Sequence, residues 1–261
     1  MAVSPDGRKI WAAGHLPAGA ADGDFTAAAL TLVEDGKAVH FPLSNGTQGV
    51  RGMAISPDGR YLAVAHVLSR YQAPTTQLDR GWMNTNAVTV INTDEPDKPH
   101  PVLLDDPDAG AANPWGVSFS GDGGKLFVTH AGTHELSVID FPALLERMKR
   151  EDRSNEPVSE RLGFLHGLRA RIALPLNGPR SVASDGKNVY VAGYFSDSLA
   201  EISLKDARKS RAIPLNAPFR PSREKLGERY YNDASHCFTG WRNSPACPMP
   251  ALPAKTGGTV F

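Results

Sequence analysis

One turn phrase repeated four times, a composition rich in turn formers, and short apolar segments following each copy together predict an all-β chain. The architecture they point to is a β-propeller, with four consecutive four-stranded blades. The phrase begins as Ala2-Val3-Ser4-Pro5-Asp6-Gly7-Arg8-Lys9-Ile10-Trp11 and returns as Met53-Ala54-Ile55-Ser56-Pro57-Asp58-Gly59-Arg60-Tyr61-Leu62. A third copy runs Val117-Ser118-Phe119-Ser120-Gly121-Asp122-Gly123-Gly124-Lys125-Leu126, and a fourth leads from Ser181 through Asp185-Gly186 to Tyr190-Val191-Ala192-Gly193. The 25 glycines and 21 prolines, with only 8% aromatic residues, suit many tight turns between short strands better than a helical bundle.

Each phrase is a hairpin for a physical reason. Pro presets φ at the second position of the turn, and Asp-Gly supplies a side-chain-to-backbone bond and then a left-handed residue. A third strand is expected at Ala28 to Val33, Ala87 to Ile91, Glu135 to Ile139 and Ser198 to Ile202. A fourth is expected at Ala38 to Leu43, Pro101 to Leu104, Ala170 to Leu174 and Ala212 to Leu215. These place the blades at about 1–49, 50–112, 113–177 and 178–216, with a tail at 217–261.

Successive Asp-Gly turns lie 52, 64 and 63 residues apart, against about 40 to 45 for a minimal blade. The excess falls in two insertions. Val67 to Asn86 separates the second and third strands of its blade and carries Tyr71, Trp82 and Met83. After Asp140, an N-cap, Pro142 in the first turn and Leu144, Leu145 and Met148 at helical spacing predict one amphipathic helix, with charges on its other face through Arg153.

Charge excludes some partners. Lys plus Arg and Asp plus Glu are 28 each, so no overall field favours a nucleic acid or an anionic membrane. The sequence contains no apolar run of the length a membrane-spanning helix needs, and no export signal is read at its start. The two cysteines, Cys237 and Cys247, both lie in the tail, where a small-loop disulfide and two unpaired thiols are equally open readings.

The Ser-Pro-Asp-Gly turns, followed by Tyr-Leu-Ala-Val or Leu-Phe-Val-Thr and then Val-Ile-Asn or Val-Ile-Asp, resemble the YVTN-type β-propellers of bacterial surface and periplasmic proteins, over residues 1 to about 216. The stretch Thr75-Thr76-Gln77-Leu78-Asp79-Arg80-Gly81-Trp82-Met83-Asn84 resembles the subgroup whose propeller is fused to cytochrome c domains similar to dihaem peroxidases. The tail segments Gly227-Glu228-Arg229-Tyr230-Tyr231 and Cys237-Phe238-Thr239-Gly240-Trp241 resemble the start of such a domain. That resemblance implies a seven-bladed ring, so that about three blades would lie outside this open fragment, and it implies haem c. Covalent haem attachment needs Cys-x-x-Cys-His, which is absent, so no cofactor is assigned to this chain. A lost reading frame near residue 242, with disorder after 241, is the corresponding expectation.

Six residues stand out as a possible binding face: Arg51, His66, Trp82, Trp115, His130 and Arg180. His66 and His130 share one repeat position at the end of a second strand. They are either a metal- or haem-facing pair or strand-end residues bonded to loops. Arg51, Trp115 and Arg180 sit at or next to the entry to the first strand of their blades, which lines the central channel. They form either an anion-binding or docking mouth or a set of ties between blades. Trp82, with Met83 and Tyr71, either anchors a partner or covers a blade edge. The turn aspartates are one per blade and well separated, so no catalytic or metal-ligating role is assigned. The sequence thus reads as a non-catalytic binding or scaffold module, periplasmic or surface-exposed by resemblance, facing a protein or domain partner. The alternative is the propeller portion of a haem-dependent electron-transfer or peroxidase-like enzyme. Lactone hydrolysis at a channel metal would need a ring of ligands that these first strands lack.

Overall fold

The computed structural model describes residues 1–18, 20, 22–71, 84–151, 158–206, 209–216 and 221–236. These residues build four antiparallel sheets, each of four strands in sequence order. The first comprises β1 (Ala2–Val3), β2 (Lys9–Ala13), β3 (Ala29–Glu34) and β4 (Lys37–Pro42), and the second β5 (Thr47–Ile55), β6 (Tyr61–Ser69), β7 (Asn84–Asn92) and β8 (His100–Leu103). The third has β9 (Pro114–Phe119), β10 (Lys125–His130), β11 (Glu135–Asp140) and, after helix α1 (Phe141–Glu151), β12 (Arg169–Ala173). The fourth has β13 (Pro179–Ser184), β14 (Asn188–Gly193), β15 (Ser198–Ser203) and β16 (Ser210–Pro214), followed by helix α2 (Arg223–Asn232).

The turn phrase works as its chemistry requires, and the serine adds a second clamp. In the first copy the Ser4 hydroxyl donates to Asp6 Oδ1 at 2.5 Å and accepts from the Lys9 backbone N–H at 2.9 Å, while Asp6 Oδ1 also accepts from the Arg8 N–H. The same triad recurs at Ser56, Asp58 and Tyr61, and at Ser120, Asp122 and Lys125. The glycine that follows each aspartate has φ of +73° to +75° in the first two copies, the left-handed geometry that only glycine adopts freely. In the second and third blades that glycine also receives the proline ring of the preceding blade. A Cβ on Gly59 would lie 3.2 Å from Pro5 Cδ, and one on Gly123 would lie 3.7 Å from Pro57 Cδ.

The core lies between blades, not within them. Trp11, Leu30, Leu62, Val64 and Ile91 fill the layer between the first two sheets. Ala63, Val88, Leu126, Val128 and Ile139 fill the next, and Phe127, Leu136, Val189, Val191 and Ile202 the last. Each strand alternates its side chains between two such layers, which explains why sheets this small hold together only side by side. Helix α1 closes the middle layer from one side. The Asp140 carboxylate accepts the Ala143 N–H at 3.2 Å, Leu144 is fully buried, and Phe141 meets Phe119 edge-on at 4.9 Å.

The insertion in the second blade is shorter than the sequence pattern suggests. Strands β6 and β7 stay paired through Val67↔Asn86, Leu68↔Thr85 and Ser69↔Asn84. Leu68, Thr85 and Asn86 are buried there, so the ladder continues wherever packing favours it, and the segment outside it is 70–83. Of that segment, 72–83 lie outside the described residues.

Candidate binding face at the propeller axis

Because every sheet is a meander, the β2–β3, β6–β7, β10–β11 and β14–β15 connections all open on one face, together with the links from each blade to the next. The Ser-Pro-Asp-Gly turns and α1 open on the other. The innermost strands β5, β9 and β13 adjoin one another around the axis; Trp115 and Arg180 are the second residues of β9 and β13, and Arg51 lies where the pairing of β5 with β6 shifts register between Gln48 and Gly52.

Two glycines set how closely these strands approach. A Cβ on Gly52 would lie 2.0 Å from the Trp115 carbonyl oxygen, and one on Gly116 would lie 2.7 Å from the Arg180 carbonyl oxygen. Backbone therefore packs on backbone at the axis, a contact only glycine permits at the tighter of the two points. This contact brings the preceding side chains together in a stack. The Arg51 guanidinium lies 4.4 Å from the centroid of the Trp115 ring, and the Arg180 guanidinium lies 4.2 Å from the same centroid. Arg180 in turn lies 3.5 Å from the Tyr194 centroid, and the Lys225 ammonium from α2 lies 3.7 Å from that ring. Cations and aromatic faces thus alternate through three blades and into the tail, each contact of the kind worth about 0.5 to 2 kcal/mol.

Of the residues singled out from sequence, the structure brings Arg51, Trp115 and Arg180 together. His66 and His130 occupy matching places but are wholly buried, with 0% exposure. His66 Nε2 lies 2.6 Å from the Thr89 hydroxyl and Nδ1 lies 3.1 Å from the Val67 carbonyl. His130 repeats this with the Ser137 hydroxyl at 2.7 Å and the Ala111 carbonyl at 3.1 Å. A carbonyl can only accept, so Nδ1 carries the proton in both rings and Nε2 accepts from the hydroxyl. Burial holds both rings below the ordinary imidazole range, His66 at about 4. Among the described residues no group of three or more His, Cys, Asp or Glu is placed to hold a metal. Trp82 and Met83 lie outside the described residues. Tyr71 ties its loop to the first blade, donating to the Asp24 carbonyl at 2.8 Å.

Three further elements of this face were not singled out in the sequence. Tyr194 and Lys225 extend the stack, but nothing local links a tail lysine to a hairpin tyrosine. Buried Asp105 accepts from the Asn86 backbone and side chain and from the Ala111 N–H at 2.6 to 2.8 Å, and burial pushes its carboxyl up to about 6. Beside it, Arg169 and Arg171 share Asp106, and Arg171 also binds Glu135 and the Ala109 and Gly110 carbonyls, which fastens the link between the second and third blades. Finally, the tail is seated on the third blade. The Ala234 N–H donates to the Gly132 carbonyl at 2.8 Å, and the Asp233 carboxylate lies 3.1 Å from His134 Nε2, which holds it well below the usual carboxylate range.

No family model matches this chain. Hydrazine synthase subunit beta of Kuenenia stuttgartiensis is 29% identical over 174 residues, which cover 65% of this chain and 45% of that protein. A solved structure of Kuenenia stuttgartiensis hydrazine synthase superposes with a TM-score of 0.66 at 26% identity, covering 77% of this chain and 57% of that one. The chain therefore spans about half the length of these relatives. The nidogen/laminin complex and the periplasmic gluconolactonase of Pseudomonas aeruginosa superpose with TM-scores of 0.50 at 18% and 16% identity, covering 82% and 85% of this chain and 62% and 58% of theirs, a likeness of fold alone. Four meander sheets packed face to face, with these structural neighbours, make the chain a β-propeller, similar over most of its length to hydrazine synthase subunit beta.

Proposed function

We propose that this chain is a non-catalytic propeller module of a redox enzyme assembly, periplasmic or surface-exposed, whose loop face seats another domain or subunit. One observation carries the reading: that face already takes up polypeptide. The segment 221–236 is held across the third and fourth blades by Lys225 on Tyr194, Asp233 beside His134 and Ala234 on Gly132. The similarity to a protein named as the beta subunit of a synthase supports a role within a larger enzyme. The resemblance of the tail to the start of a cytochrome c domain supports a haem-bearing neighbour, with the haem held by that neighbour and not by this chain.

The test is direct. The purified chain is expected to show no Soret absorbance and no turnover of peroxide or hydrazine, whereas Lys225→Glu combined with Asp233→Ala is expected to speed amide hydrogen exchange in α2 with little change in the four sheets. A haem spectrum or turnover that copurifies with the chain would overturn the non-catalytic reading. Unchanged exchange in α2 would overturn the docking reading.

A further inference from the structure

Among the described residues, neither arginine at the axis forms an ion pair with a carboxylate, since none lies within 4.0 Å of either guanidinium. Arg51 and Arg180 both lie against one indole, at 4.4 and 4.2 Å from its centroid. The Glu228 carboxylate, held below its usual range first by Lys225 and also by the Arg180 charge, is paired with Lys225 at 2.9 Å. Arg180 Nε is buried without a hydrogen-bond partner. Arg51, by contrast, is exposed, so the pair combines a donor sunk into the stack with one open to solvent.

Two guanidinium groups gathered on one ring repel each other. Desolvation and the neighbouring Arg180 charge pull Arg51 below its usual range, as expected where positive charge is concentrated without compensation. Indole faces offset this only in part, since a cation–aromatic contact is worth far less than a charge-assisted bond to an oxyanion. The rigid part is already in place. The backbone contacts at Gly52 and Gly116 fix where each arginine starts, and the Arg180 guanidinium lies against both Trp115 and Tyr194.

From this arrangement we infer an anion site at the axial mouth, in which Arg51 and Arg180 bind one tetrahedral oxyanion of the phosphate or sulfate class across the edge of the Trp115 ring. Charge-assisted bonds of about 2.8 Å from both guanidiniums would hold such an ion. The double positive charge matches a dianion better than a single carboxylate. The site needs no partner chain, so it stands or falls apart from the docking role.

Isothermal titration of the full chain with inorganic phosphate, with chloride at matched ionic strength as reference, tests the inference. Saturable binding of one phosphate per chain is expected, weakened at least tenfold by Arg51→Gln, which changes an exposed side chain and leaves the layers between blades intact. Arg8→Gln, an exposed arginine at a turn on the opposite face, is expected to bind as the unaltered protein does. Glycerol 3-phosphate distinguishes the source: tighter binding than phosphate marks an esterified ligand, and equal or weaker binding marks the free ion. Binding no stronger than that of chloride, or an Arg51→Gln protein that binds phosphate unchanged, would overturn the site.

Discussion

Replacing Gly52 with alanine tests the packing at the axis most sharply. The added Cβ would sit 2.0 Å from the Trp115 carbonyl oxygen, inside the 3.0 Å that real Cβ contacts essentially never breach, so β5 and β9 must part by roughly 1 Å. The obstacle is backbone, which cannot swing aside as a side chain does. Gly116→Ala meets the Arg180 carbonyl at 2.7 Å and needs only a few tenths of an ångström. At the corresponding place in the fourth blade, Ser181 already carries a side chain and is exposed. Overpacking of a well-ordered core costs about 1 to 3 kcal/mol. Gly52→Ala is expected near or above the top of that range, Gly116→Ala near 1 kcal/mol, and Ser181→Ala within about 0.5 kcal/mol of zero. Urea unfolding of the three variants, followed by circular dichroism, measures this order. If Gly52→Ala proved no more harmful than Gly116→Ala, the claim that backbone contacts set the blade spacing would be wrong.

Other expectations follow from buried polar groups. Asp105 has a folded-state pKa of about 6 against an ordinary 3.8, so its contribution is fully present below about pH 4 and lost as pH rises through 6, an effect of roughly 3 kcal/mol. Stability measured from pH 4 to 7 should therefore show that loss in the unaltered protein and lack it in Asp105→Asn; a pH-independent difference between the two would refute the assignment. His66, held at about 4, acts in the opposite sense, its stabilisation being present above about pH 6.5 and lost as pH falls toward 4. Thr89→Val leaves His66 Nε2 without a donor and should cost about 1 to 3 kcal/mol by denaturant melt at pH 7. Arg171→Met leaves Glu135 without its cation and frees the Ala109 and Gly110 carbonyls, while Asp106 keeps Arg169, a loss of about 1 to 3 kcal/mol, whereas Arg60→Met removes an exposed pair and should cost under about 1 kcal/mol.

The blades were legible because their signal is local and repeated. Ser-Pro-Asp-Gly encodes its own hairpin through bonds that span at most five residues, so Ser4, Asp6 and Lys9 can be read without knowing anything else in the chain. The helix after Asp140 was legible for the same reason. The meeting of Arg51, Trp115 and Arg180 was half legible: the repeat placed them near starts of equivalent strands, but their stacking depends on Gly52 and Gly116 as points of backbone approach, and a glycine in a strand has several possible reasons. The burial of His66 and His130 was hidden because the repeat position does not tell which layer covers it, and for His66 because β6 runs on past it to Ser69. What covers them is hydroxyls from the next strand, Thr89 and Ser137. Lys225 on Tyr194 was out of reach, since their pairing depends on where the tail crosses the fourth blade and on no pattern within either segment.

From Gly52 to Gly59, and again from Gly116 to Gly123, the polypeptide takes seven steps between the point where it touches the next blade's inner carbonyl and the point where it receives the previous blade's proline. That interval acts as a gauge. Residues within it can be exchanged for others that keep the alternation, but adding or removing one would put the two anchor points out of phase, so that one could seat only by losing the other. Length variation in such a chain belongs outside these two intervals.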